Sequence, residues 1–181
     1  VGVAMRKAKG RLALALGVGD LAGLLPLEEV VSRLSDLADD TLSRAIAQAI
    51  EDYVPGAELQ GFAAIALGKH GSRELNYSSD IDPILIYDPV TLPHRARDEV
   101  EEAAVRIGRK VMELMQQRTE HGYVFRVDLR LRPSPEVTPI VLPAEAAIAV
   151  GGSQPVGQRW FHNAGGMPPF DLKPLSGRYL S

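Results

Sequence analysis

The chain has 181 residues, 45% apolar and 24% charged, enough for one domain with a real core and a helical extension. A net charge of −3 excludes a global basic field, so neither nucleic acid nor an anionic membrane is an expected partner. Cysteine is absent, the four histidines lack zinc-ligand spacing and no apolar run reaches membrane-spanning length, which leaves a cytoplasmic protein without thiolate chemistry as the expectation.

In chain order, residues 5–16 are rich in Ala, Leu, Lys and Arg and predict a helix ended near Gly17 and Gly19. Pro26 suits a first helical position, with Glu28 and Glu29 favouring the N-terminal dipole. Val30, Leu34, Leu37, Leu42, Ile46 and Ile50 then recur at helical spacing up to about residue 53, where Pro55-Gly56 stops the helix. The apolar run 62–67 predicts a buried strand. A glycine turn follows, Gly68-Lys69-His70-Gly71-Ser72, with His70 and Asn76 as turn residues, and residues 81–87 form a second strand closed by Asp88-Pro89. A helix is expected over about 95–118. Gly122 restarts the chain as a third strand over 123–132, with Tyr123, Phe125, Val127, Leu129 and Leu131 on the core face and Val124, Arg126, Asp128, Arg130 and Arg132 on the other. Residues 138–142 predict a short edge strand and 143–149 the start of a helix. From residue 150 glycines and prolines replace any periodicity, and the tail reads as irregular. The expected organisation is therefore a helical extension over 1–56, an α+β core over 57–149 and a tail over 150–181.

Asp80 and Asp82 lie two apart on a strand, so both face the same way. Paired carboxylates repel unless a cation neutralises them, and Asp128 can complete an oxygen-ligand site for Mg²⁺. Phosphoryl and nucleotidyl transfer requires such charge neutralisation and positioning. Gly71 and Ser72 are candidate phosphate contacts through backbone N–H groups and a hydroxyl. Lys69, Arg73, Arg126, Arg130 and Arg132 are candidate partners for phosphates or for acidic groups of a protein substrate.

At these residues the sequence resembles the nucleotidyltransferase superfamily typified by DNA polymerase β. The stretch from Gly68-Lys69-His70-Gly71-Ser72 through Ser79-Asp80-Ile81-Asp82, with Phe125-Arg126-Val127-Asp128-Leu129-Arg130-Leu131-Arg132-Pro133, is similar to one family within it, the bacterial glutamine-synthetase adenylyltransferases. The resemblance implies a small mixed sheet flanked by helices, Mg²⁺ on Asp80, Asp82 and Asp128, and AMP, ADP, ATP and phosphate as ligands. It also implies glutamine synthetase as protein substrate and control by the signalling protein PII in a full-length enzyme. Enzymes of this family carry two such domains, one adding AMP to a tyrosine and one removing it by phosphorolysis. Arg126, where the adding copy tends to carry an acid, points to the removing copy. The chain departs from the family at Pro83, where a branched aliphatic is usual, at His70, where an apolar residue is usual, and after Ile148, where the likeness is expected to end in a truncated or frame-shifted tail. Two other readings stand beside this one: a stand-alone nucleotidyltransferase acting on another hydroxyl, and an impaired fragment that only binds nucleotide or partner.

Overall fold

Helical periodicity builds one layer and short apolar runs build the other. The computed structural model describes residues 1–132 and 134–146 and the backbone of residues 159–161. Helices α1 (Gly2–Leu21), α2 (Leu27–Tyr53), the single turn α3 (Gly68–Gly71) and α4 (Val100–Gln116) accompany strands β1 (Phe62–Leu67), β2 (Asp82–Tyr87), β3 (Val141–Pro143) and β4 (Arg159–Phe161). The sheet runs β3-β2-β1-β4. β1 is antiparallel to both β2 and β4, whereas β2 and β3 are parallel. This is the expected α+β class: a small mixed sheet, flanking helices and a helical extension. Among the described residues no helix is long and apolar enough to cross a membrane.

The sheet separates two apolar clusters. Phe62, Ala64 and Ala66 of β1 and Leu85 and Tyr87 of β2 join the buried faces of α2 and α4, including Leu42, Ile46, Ile50, Ile107 and Met115. Ala63, Ile65, Leu67, Ile84, Ile86 and Leu142 form a smaller cluster on the opposite face. Alternation along β2 therefore puts Asp82 on the side of Ile84 and Ile86, away from α2 and α4.

Several boundaries differ from those read from sequence. α1 runs through Gly17 and Gly19 and ends at a Schellman turn, in which Gly23 at φ +66° lets its N–H reach the Asp20 carbonyl and the Leu24 N–H reach that of Gly19. Pro26 precedes α2 as its N-cap residue. α4 starts at Val100, five residues later than expected, because residues 95–98 are drawn onto the end of α2. There the Arg95 guanidinium donates to the Tyr53 carbonyl at 2.8 and 3.1 Å and the Tyr53 hydroxyl hydrogen-bonds to Asp98.

The main correction concerns residues 123–132, which form no continuous strand. Val124 and Phe125 are both buried in succession, their N–H groups donating to the Met115 carbonyl, and Leu131 is half exposed, so the expected alternation fails at both ends. One parallel bridge survives, between Ile81 and Val127, made by Ile81 N–H to the Arg126 carbonyl and Asp128 N–H to the Ile81 carbonyl. In a parallel ladder the next bond would run from residue 83 to the carbonyl of 128. Pro83 has no N–H to give, so pairing stops after one rung. The Arg130 N–H turns back to Asp128 Oδ1 at 2.9 Å instead.

The expected edge strand is present but shorter, at Val141–Pro143, and residues 144–146 are helical. In the tail read as irregular, residues 159–161 form β4 against β1. A three-residue strand among glycines is too short to leave a periodic trace. The remaining expectations for 147–158 and 162–181 lie outside the described residues.

Candidate active site

The Ile81–Val127 bridge puts Asp80 and Asp82 on either side of one rung and Arg126 and Asp128 on either side of its partner. The acids sense one another. Burial pushes the Asp82 carboxyl above its ordinary range, and the neighbouring negative charges of Asp128 and then Asp80 push it further. Asp82 makes no hydrogen bond or ion pair among the described residues. Asp80 is paired with Arg126, whose Nη2 also donates to the Ser78 carbonyl at 2.8 Å. Asp128 is held by Arg130, with Nε at 3.0 and 2.8 Å from Oδ1 and Oδ2, and this hydrogen bonding keeps its carboxyl below the usual range.

The glycine turn adjoins these acids. Gly68 sits at φ +54°, and a Cβ there would lie 2.9 Å from Asp82 Oδ2, so backbone approaches the carboxylate as only glycine allows. Lys69 is exposed beside it and makes no hydrogen bond or ion pair among the described residues. Gly71 is buried in α3. Ser72 is exposed, but its N–H and its hydroxyl both donate to the Gly68 carbonyl at 3.0 Å, leaving the hydroxyl oxygen as an acceptor.

Two of the basic candidates are committed elsewhere. Arg73, itself at φ +62°, turns onto α2, where it meets Ser32 Oγ at 2.9 Å and the carboxylates of Asp36 and Asp39. Arg132 donates to the carbonyls of Leu129 and Pro135 at 2.8 Å and holds its own loop. Arg126 and Arg130 remain on the side of the acids, and Lys69 stays exposed on the adjoining turn.

Sequence reasoning missed two contributors. His70, read as a turn residue, is fully buried; burial pushes its ring down to about 4, and as a neutral ring it donates from Nε2 to Asp39 Oδ1 at 2.8 Å, tying the glycine turn to α2. The trace of this was the i, i+3 pair Asp36 and Asp39 on the α2 surface. Lys9 of α1 stands 4.4 Å from the centroid of Tyr123 and 4.7 Å from that of Phe125. Burial and then the charge of Arg126 lower its pKa. No periodicity in the sequence announces such a contact.

The donor chemistry suits a hard divalent cation, since carboxylate oxygens completed by water and phosphate are what Mg²⁺ takes. As the side chains stand, no set of three His, Cys, Asp or Glu among the described residues is arranged to ligate one. Arginines instead occupy the carboxylates of Asp80 and Asp128, standing in as counter-charges.

Comparison with known proteins bears on what such a site serves. A family model described as glutamate-ammonia ligase adenylyltransferase matches residues 2–164, so the likeness runs past the expected limit at residue 148. The bifunctional glutamine synthetase adenylyltransferase/adenylyl-removing enzyme of Caulobacter vibrioides is 41% identical over 167 residues, covering 86% of this chain and 17% of that protein. The proteins of the same name from Rhizobium meliloti and Xanthobacter autotrophicus are each 38% identical, covering 86% and 80% of this chain and 17% and 16% of their own lengths. The chain thus spans about a sixth of the length of the relatives it matches.

Proposed function

Because this chain belongs to the glutamate-ammonia ligase adenylyltransferase family, we propose that it is an adenylyl-removing nucleotidyltransferase unit acting on adenylylated glutamine synthetase. The observation that carries the reading is the meeting of Asp80, Asp82 and Asp128 across one backbone rung beside the Gly68 turn. In the proposed reaction a phosphate oxygen attacks the phosphorus of the AMP–tyrosine phosphodiester. The bond from phosphorus to the tyrosine oxygen breaks, ADP forms and the phenol oxygen takes up a proton. Asp80, Asp82 and Asp128 would hold Mg²⁺, which when bound neutralises charge on the phosphoryl oxygens. In this reading Lys69, Arg126 and Arg130 would contact phosphate, with Gly71 and Ser72 contributing from the adjoining turn. Arg126 itself supports removal over addition of AMP, since an arginine favours an incoming anion at the position where an acid would repel it. The site would work in the cytoplasm, with PII as regulator of a longer protein.

Asp80→Ala and Asp82→Ala are each expected to lower ADP release from adenylylated glutamine synthetase by at least about 100-fold, the worth of removing a charge-stabilising group. Circular dichroism should stay unchanged. Full phosphorolysis in either variant refutes the reading.

A further inference from the structure

The geometry points to Arg126 and Arg130 as exchangeable counter-ions: they occupy the carboxylates of Asp80 and Asp128 until a divalent cation displaces them, and the freed guanidiniums then take the phosphate. This deepens the function proposed above and rests on it.

The argument begins with lone pairs. A carboxylate offers about four acceptor positions. Three N–H donors of Arg130 crowd those of Asp128: the backbone N–H at 2.9 Å on Oδ1, the single Nε–H shared between Oδ1 at 3.0 Å and Oδ2 at 2.8 Å, and Nη2 at 2.5 Å on Oδ2. A cation at those oxygens competes with the guanidinium. The backbone N–H bond survives its departure, so Asp128 keeps its orientation when the arginine leaves.

Asp80 is engaged more lightly by Arg126, on the other side of the same rung: Nε alone donates, to Oδ1, while Nη2 is spent on the Ser78 carbonyl. Asp82, between them, carries no arginine. The two guanidiniums offset two of the three carboxylate charges. A divalent cation would take over that role, and displacement costs little. The Arg126 and Arg130 side chains are 53% and 85% exposed, and ion pairs open to solvent are weak. Water solvates the released guanidiniums, while the Arg126 bond to the Ser78 carbonyl keeps that side chain near. A guanidinium kept there can take phosphate oxygens in its preferred two-pronged geometry.

The test is calorimetric titration of Mn²⁺ into the wild-type chain, Arg126→Met and Arg130→Met at low ionic strength, with Arg44→Met on the exposed side of α2 as control. Exchange predicts that Mn²⁺ binds each variant about three- to five-fold tighter than wild type, the worth of an exposed ion pair, and that Arg44→Met is unchanged. With Mn²⁺ saturating, inorganic phosphate should bind both variants at least about three-fold more weakly. In the wild type, the Arg126 and Arg130 Nε–H resonances should shift on adding Mg²⁺. Equal or weaker Mn²⁺ affinity in both variants, or arginine resonances that do not move, overturns the exchange alone. Failure of the wild type to bind Mn²⁺ overturns both this inference and the metal-dependent reading beneath it.

Discussion

Asp82 carries the cost of the site. Its carboxyl is partly buried, flanked by two other acids and without a hydrogen bond or ion pair among the described residues, and its pKa is accordingly raised. Between the ordinary carboxylate range and that raised value the folded chain holds more protons than the unfolded one. Stability therefore falls as pH rises through that window and stays lower above it. Asp82→Asn removes the charge and keeps the shape. Its thermal midpoint at neutral pH, without divalent cation, is expected above that of wild type, by less than about 1 kcal/mol because solvent reaches the carboxyl. The gap should close as pH falls below the carboxylate range, and a variant less stable than wild type at neutral pH would refute this account. His70 and Gly68 are the counterparts that hold the turn against this acid, one by a buried hydrogen bond to α2 and one by lacking a side chain.

At the scale of elements, Pro83 decides where the sheet ends. It lies in β2 opposite Ala66 of β1, where no donor is missed, and its absent N–H faces the 126–128 segment. Pro83→Val is expected to add a second rung, to the Asp128 carbonyl. Hydrogen exchange should then show a protected amide at position 83, and an unprotected one counts against this explanation of the single rung. The same proline accounts for what the sequence did and did not disclose. α2, β1 and β2 were legible because long periodic or continuous apolar runs state their own geometry, and the two acid segments were legible because their spacing carries chemistry. The alternation of 123–132 was as regular as that of any strand, but a strand needs a neighbour with donors in register. That condition was written forty residues upstream, in one imino acid. The start of α4 was hidden for a similar reason: Arg95 and Asp98 could continue a helix, and only the end of α2 makes another use of them.

For the whole molecule, α1 does more than extend the core. Met5 and Leu16 are buried against the rest of the fold, and the Arg6 Nε donates to the Gln117 carbonyl at 3.0 Å, at the far end of α4. Lys9 packs over the rings of Tyr123 and Phe125, just before Arg126. Lys9→Ala is expected to cost about 0.5–1 kcal/mol. It should speed exchange of the Val124 and Phe125 amides more than that of the β1 amides, as read by mass spectrometry of the exchanged peptides. A uniform change across both segments would refute a local role. A lone rung is a pivot and not a clamp. The gap between Asp80 and Asp82 on one side and Asp128 opposite is therefore gauged by the first helix leaning on two aromatic rings, and any force that rocks that helix can retune the spacing without touching a single carboxylate.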